Sequence, residues 1–380
     1  MNTEPVKGFR DFSGKEAENR AEMRKIIVRT FERYGFEPVE TPIIEQEEFV
    51  RGENKEDEAI SDIFKLQDKG KRNLALRYEF TFQLKRIMKN KKLPYKRYQI
   101  GEVFRDEPVS SNRFRQFTQC DVDIVGSNVK NEAEILAMTS ELMREFGIEP
   151  IILVNNRRLL NEILNDLKIK EKDREQVLRE IDKFGKIGEK EVISNLKKLN
   201  ADKVIKVLKS GEAYFKKFQA YKEIISLIEY CRLYGVKILF SPTVIRGLSY
   251  YNENVFEVKA KNISETLVAG GSYMFDGIQC TGISFGLDRL ALISKLRFER
   301  EKYLIISLGE DEAAIGLARK LREKNRGKDV TVYYGKPSKA LDYANSYGIN
   351  EVIFVGEKEI KEKKFKVKDM KTGKESALKL

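Results

Sequence analysis

The chain has 380 residues, 41% of them hydrophobic and 35% charged, with a formal net charge of +12. It contains no histidine and three widely spaced cysteines, Cys120, Cys231 and Cys280. This excludes a disordered chain, any mechanism built on an imidazole base or ligand, and a disulfide framework or C-x-x-C zinc site.

The length predicts two to three domains. No apolar stretch reaches about 18 residues, so no membrane span is expected. The start lacks the apolar region of a signal peptide, and a cytoplasmic protein is expected. The positive balance fits a solvated, lysine-rich surface and equally a polyanionic partner.

In chain order, Met23, Ile26, Ile27, Phe31 and Tyr34 recur at helical spacing. They predict a helix over 15–34 that stops at Gly35. FEPVETPIIE, with Pro38 and Pro42, reads as extended chain. Between about 73 and 126, strand-like runs (NLALRY, RYQIGEVFR, CDVDIVG) surround one helix starting near Thr81. That pattern predicts an antiparallel sheet with helices segregated to one side, an α+β arrangement. Residues 157–232 are almost all helical, charged and free of proline, and read as a helical insertion.

Strand signals return at VKILFSPTVIRGLSYY, ENVFEVKA and AGGSYMFDGI, and a closing helix starts near Gly286. From 301, KYLIISLG, VTVYYG and VIFVG alternate with two helical segments, which predicts a small α/β domain with a largely parallel sheet. The basic tail EKEIKEKKFKVKDM offers edge strands. The expected division is therefore 1–156 with 233–297, an insertion at 157–232, and a third domain at 301–380.

The chemistry concentrates in RYQIGEVFRDEPVSSNRFRQFTQCDVDIVG. Two strand-like runs flank a polar turn, with Arg105, Arg113 and Arg115 near or in it. Arginine's planar fork suits phosphate oxygens. Glu107 can accept from an exocyclic amine, and Phe117 can stack on a base. Taken alone, the same stretch also reads as a surface hairpin with scattered charge.

FRDE, a turn and RFRQF together resemble motif 2 of the class II aminoacyl-tRNA synthetases. GISFGLDRLALI (Gly282 to Ile293) resembles motif 3, with its arginine at Arg289. FERYGFEPVETPIIE resembles motif 1, with its proline at Pro42. All three stand in the family's order. VIRGLSYYNENVFE and AGGSYMFDG resemble the two segments found mainly in histidyl-tRNA synthetases and their paralogue. LALRYEFT resembles the segment that receives the amino acid. The resemblance covers essentially the whole chain, least specifically in the helical insertion.

The resemblance implies a class II catalytic domain, an anticodon-binding domain at 301–380, and a homodimer through motif 1. It implies activation of L-histidine with ATP and transfer to the tRNA for histidine, with magnesium as counterion of the pyrophosphate oxygens. Arg105 and Arg246 are the expected catalytic arginines at the α-phosphate. Glu107 and Phe117 are expected at adenine, and Arg113 and Arg289 at the terminal phosphates and adenine. Glu79, Thr81 and Gln119 match positions around the α-amino group. Asp123, Tyr250, Tyr251 and Tyr273 match the region facing the imidazole, where a carboxylate accepts from one ring nitrogen and a tyrosine donates to the other. No metal-ligating residues are expected.

Tyr250 and Tyr251 alternate along a strand, which leaves one of them open to a core role. Glu79 also fits a helix N-terminal carboxylate.

Four positions depart from the family's pattern. Asp123 stands where Glu is common, Ser249 where Asp or Asn is usual, Ser272 where Arg is usual, and Thr118 where His is frequent. Two other functions share the motifs. One is a regulatory paralogue of histidine biosynthesis, which generally lacks the C-terminal domain and parts of the ATP site. The other is a class II synthetase for another amino acid, which the R-G-L-x-Y-Y segment argues against.

Overall fold

The computed structural model describes the chain except for residues 53–57, 111–112, 184–186, 246–249, 262, 264, 299, 325–326, 363 and 379–380. It divides into two compact units, Met1–Leu296 and Arg297–Leu380. No helix of the described residues is long and apolar enough to cross a membrane.

The first unit opens with α1 (Gly14–Arg33), within a residue of the span expected from spacing. It buries Met23, Ile27, Thr30 and Phe31 on one face. Gly35, at φ 77°, ends it. The Phe36 N–H returns to the Phe31 carbonyl and the Gly35 N–H to that of Glu32, a stop that a residue with a Cβ adopts only at a cost.

Extended chain follows as β1 (Glu37–Pro38) and β2 (Ile44–Gln46), then α2 (Glu47–Arg51), α3 (Glu58–Ser61), β3 (Lys65–Gln67), β4 (Asn73–Leu76) and the four-residue α4 (Leu84–Ile87). Strands β2, β4 and β3 form a small antiparallel sheet.

Next come β5 (Tyr95–Phe104) and β6 (Gln116–Val125), the long hairpin around the DEPVSSNR turn. Helix α5 (Val129–Glu145) starts at a capping box on Asn128, and β7 (Pro150–Asn156) follows. Among the described residues, six helices then run from Arg157 to Leu233: α6 (Arg157–Asp166), α7 (Glu171–Asp182), α8 (Glu189–Lys198), α9 (Lys203–Leu208), α10 (Glu212–Phe215) and α11 (Tyr221–Leu233). Leu160, Leu164, Val177, Ile181, Leu196 and Val204 give this segment an apolar cluster of its own.

The chain returns through β8 (Ile238–Phe240), β9 (Tyr251–Ala260), β10 (Val268–Phe275) and β11 (Ile278–Gly286), and α12 (Leu287–Ile293) closes the unit. The main sheet has eight strands in the order β1-β5-β6-β11-β10-β9-β7-β8. Its interior pairs are antiparallel, as expected. The edge strands β1 and β8 pair in parallel, so the sheet is mixed.

Alternation sets the two faces of this sheet. Tyr98 and Phe285 turn to the rear, where both rings lie within 6 Å of Phe31 on α1. Arg97, Gln99, Phe117, Gln119, Asp121 and Asp123 turn to the front. Helices cover the rear, and polar side chains gather on the front.

The second unit comprises β12 (Lys302–Ser307), α13 (Asp311–Lys324), β13 (Asp329–Tyr334), α14 (Pro337–Ser346), β14 (Glu351–Val355), α15 (Glu357–Glu362), β15 (Lys366–Asp369) and β16 (Glu375–Ala377). The order is β13-β12-β14-β15-β16, with the first three strands parallel and the last two antiparallel. Ile305 packs with Leu317 and Leu321 of α13. Leu304 and Ile306 pack with Ala340 and Ala344 of α14 on the opposite face. The tail supplies the two edge strands, and also a helix where only strands were expected.

Candidate active site

The front face of β5 and β6 is charged and buried together. The register sets Arg97 against Asp123, Gln99 against Asp121, and Gly101 against Gln119. Arg97 Nη2 meets Asp123 Oδ2 at 2.6 Å, and Arg97 is 0% exposed. The Tyr273 hydroxyl, from β10, donates to the other Asp123 oxygen at 2.5 Å. Gly282 of β11 lies across from Asp123, and a Cβ there would stand 2.2 Å from Asp123 Oδ1. Gly101 likewise leaves room for the Arg77 guanidinium, which a Cβ would meet at 2.7 Å.

Several buried atoms on this face have no partner within the protein: Arg97 Nε and Nη1, Gln99 Oε1, Gln119 Oε1 and Asp121 Oδ1. Folded proteins seldom leave buried polar atoms unmatched, so this face is built to receive a polar ligand or ordered water. Burial pushes the Asp121 carboxyl up to about 7, with Asp123 and Glu79 adding to the rise and Ser284 and Arg97 opposing it. Burial first, then neighbouring negative groups, holds the Tyr250 and Tyr273 hydroxyls well above the usual tyrosine value. Both therefore remain proton donors at neutral pH.

The expected amino-acid residues surround this floor. Glu79 is buried just before Phe80, and its carboxylate accepts from the Tyr250 hydroxyl at 3.4 Å. Gln119 Nε2 donates to Ser284 Oγ at 2.9 Å. Thr81 is partly buried, and its carbonyl begins the turn into α4. Tyr250 and Tyr251 have ring centroids 4.7 Å apart, and Tyr250 stands 5.5 Å from Tyr273. Tyr251 belongs to an apolar cluster with Val255 and Leu84. A register shift between Gly271 and Tyr273, where β10 meets β9, re-aims this corner of the sheet. In one respect the arrangement differs from expectation: the Tyr273 proton is directed at Asp123 itself.

A second cluster forms where the hairpin turn meets α12. The Arg105 Nε–H donates to the Tyr78 carbonyl at 3.2 Å, and the guanidinium lies 5.2 Å from the Phe117 ring centre. Arg105 Nη1 is 3.7 Å from Glu107. Arg289 donates to the Thr266 carbonyl at 2.9 Å. Burial first, then the charges of Arg113 and Arg105, pushes the Arg289 guanidinium below its usual value, against Glu107 and Glu265. Three arginines thus share one region, an arrangement that a polyphosphate relieves. Arg246 and Ser249 lie outside the described residues.

Two departures turn out to face away from this site. Thr118 points rearward, where its hydroxyl accepts from Arg20 and Arg24 and its N–H donates to Asp288. The Ser272 hydroxyl donates to the fully buried Glu132 of α5. Glu132 also accepts from Asn254 at 2.6 Å, and burial pushes its carboxyl up to about 7. Sequence reasoning missed Arg97, Asp121, Arg20 and Glu132. A charged residue at the centre or start of a strand-like run, in phase with other polar residues of one face, was the available signal for the first two.

Among the described residues, no group of three or more His, Cys, Asp or Glu side chains could hold a metal ion. The carboxylates facing the arginine cluster are Glu107 and Glu265.

Residues 8–290 match the family model for histidyl-tRNA synthetase, and residues 302–380 match that for the anticodon binding domain. Histidine--tRNA ligase 1 of Bacillus cereus is 34% identical, over 99% of this chain and 95% of its own length. The crystal structure of histidyl-tRNA synthetase from Nostoc sp. PCC 7120 superposes with a TM-score of 0.84 at 25% identity, covering 100% of this chain and 97% of that one. A Bacillus halodurans structure described as an ATP phosphoribosyltransferase regulatory subunit/histidyl-tRNA synthetase shares the fold, at 22% identity and a TM-score of 0.78 over 93% and 98% of the two chains. A buried polar floor, a converging arginine set and these matches over nearly the whole length agree: the chain belongs to the histidyl-tRNA synthetase family.

Proposed function

We propose that the chain is a histidine–tRNA ligase. It activates L-histidine with ATP to histidyl-adenylate and pyrophosphate, then transfers histidine to a hydroxyl at the 3′ end of its tRNA with release of AMP. The observation that carries this reading is the juxtaposition of the Arg97–Asp123–Tyr273 floor with the Arg105–Arg113–Arg289 cluster.

In the first step a histidine carboxylate oxygen bonds to the α-phosphorus of ATP, and the bond to pyrophosphate breaks. Negative charge grows on the phosphoryl oxygens, and no protein nucleophile is required. Arg105 and Arg246 are assigned to the α-phosphate, where fixed positive charge stabilises the transition state more than the ground state. Arg113 and Arg289 take the terminal phosphates and adenine, and Glu107 and Phe117 take adenine. Glu79, Thr81 and Gln119 hold the α-amino group. Asp123, Tyr250, Tyr251 and Tyr273 face the imidazole. Magnesium bound with ATP would offset the charge of the pyrophosphate oxygens, with Glu107 and Glu265 the carboxylates beside the arginine cluster. The protein offers it no cage of its own among the described residues.

The second step places the tRNA on both units. Residues 301–380 act as the anticodon-binding domain, and 157–232 act as an inserted domain that clamps the acceptor arm. The catalytic domain is assembled from 1–156 and 233–297. The enzyme is assigned to the cytoplasm as a homodimer through motif 1, where Ile43 and Ile44 stand exposed beside Pro42.

The test is ATP–pyrophosphate exchange across the twenty amino acids. Exchange with histidine alone supports the reading. Exchange with another amino acid in its place sinks it, and no exchange with any favours the binding-only paralogue.

A further inference from the structure

We propose that Arg97 is a positioning residue for histidine: it ties Asp123 to the Phe80 segment and so fixes the spacing between the two ends of the amino-acid pocket. The proposal rests on the ligase reading above. Arg97 lies outside the three motifs, at the third residue of β5.

One nitrogen, Nη2, makes both links, to Asp123 Oδ2 at 2.6 Å and to the Phe80 carbonyl at 3.2 Å. Phe80 stands between Glu79 and Thr81, which are assigned to the α-amino group. Asp123 is assigned to the ring. The guanidinium is rigid and fully buried, so a displacement at one end is transmitted to the other. The Asp123 carboxylate is confined from its remaining sides by the Tyr273 hydroxyl and by the backbone of Gly282.

The charged and titratable groups around Asp123 come from every neighbouring element. Arg97 faces it from β5 and Tyr273 from β10, with Cys280 from β11 and Asp121 from its own strand. Glu79 acts on Asp121 from the segment after β4. Among the described residues, Arg97 is the cation in this set. A buried carboxylate deprived of its one cationic partner takes up a proton in preference to remaining charged.

The experiment uses the full chain with Arg97→Met, Arg97→Lys and the double variant Arg97→Met/Asp123→Asn. Histidine-dependent pyrophosphate exchange is followed from about pH 6 to 9, with KM for histidine and for ATP measured separately. Arg97→Met is expected to raise the histidine KM by about 100-fold, the range for truncating one partner of a buried charged pair. Its ATP KM should stay within about threefold of wild type. Its histidine KM should also gain a pH dependence beyond the acid limb of the substrate itself, and the double variant should lose it. Arg97→Lys should recover at least about tenfold.

Parallel rises in both KM values, or loss of kcat alone, overturn the proposal, as does an Arg97→Met profile with no new pH dependence. If Arg97→Met fails to fold, Arg97→Lys decides: its histidine KM must rise while its ATP KM holds. A wild-type chain silent with histidine but active with another amino acid overturns the ligase reading, and the proposal with it.

Discussion

Arg20 on α1 and Asp288 on α12, 268 residues apart in the chain, pair at 2.9 Å behind the main sheet. The second Asp288 oxygen accepts from the Thr118 backbone at 2.7 Å. One carboxylate thus joins α1, β6 and α12, and the next residue along α12 is Arg289. Both side chains are nearly buried, at 8% and 11% exposure. Asp288→Ala should cost about 3 kcal/mol, since it leaves a buried guanidinium without its partner. Urea unfolding measures that loss. The ATP KM should rise more than the histidine KM, because the start of the helix carrying Arg289 loses its anchor. An unchanged unfolding midpoint would show the clamp to be idle.

The arginines should separate by role. Arg105→Ala and Arg246→Ala should each slow adenylate formation by roughly 10²–10³, the usual loss for one preorganised charge partner. Arg113 is exposed. Its replacement by alanine should cost about tenfold or less and depend on ionic strength. Single-turnover adenylate formation at two salt concentrations checks this. A wild-type rate for Arg105→Ala removes it from the catalytic set.

Glu132 gives a stability prediction with a definite sign. Its folded carboxyl sits at about 7 because of burial, above the ordinary glutamate value. Serine and asparagine are its neutral donors, and Glu253 and Glu223 raise it further. The folded state therefore binds more protons than the unfolded state between roughly pH 4.5 and 7. The stability Glu132 supports is fully present below that window and is lost as pH rises through about 7. Glu132→Gln keeps the shape and removes the charge. It should match wild type near pH 5 and exceed it by on the order of 2 kcal/mol near pH 8. Melting curves at the two pH values test this, and equal gains at both would refute it.

The pH dependence of histidine activation has two candidate sources. One is the substrate's imidazole, near 6–6.5. The other is Asp121, pushed up to about 7 by burial. The acid limb is expected to belong to the substrate, because protonated imidazole offers two donors where the pocket matches neutral imidazole. A triazole analogue, a far weaker base, should move the limb well down in pH, and Asp121→Asn should leave it in place. The opposite pair of outcomes would assign the limb to Asp121.

Removal of residues 297–380 should leave adenylate formation within about threefold while tRNA charging collapses. The cut falls between the two compact units, and all adenylation motifs precede 295. Pyrophosphate exchange and aminoacylation measured on the same preparation decide the matter. Equal loss of both would mean that the first unit needs the second in order to fold.

Local chemistry made much of the architecture legible. The apolar spacing of α1 and its Gly35 stop, the β5–β6 hairpin and the alternating second unit all follow from short-range patterns. So did the grouping of Arg105, Glu107, Phe117 and Arg289, through a family resemblance. The pairings that organise the site were not legible. Arg97 meets Asp123 because of the β5–β6 register, and a shift of one residue would send Arg97 to the rear. Ser272 meets Glu132 across 140 residues. No local pattern encodes either contact. The tail helix α15 was missed because its alternating charges resemble an edge strand.

The contact between Gly282 and Asp123 constrains how this pocket can be altered. A methyl group at 282 would occupy the place of the carboxylate oxygen, so even alanine there acts as a mutation of Asp123. The reverse does not hold, since a smaller residue at 123 leaves Gly282 unstrained. Retargeting the pocket toward a different amino acid therefore has an obligatory order: position 123 must change first, and position 282 becomes available only afterwards.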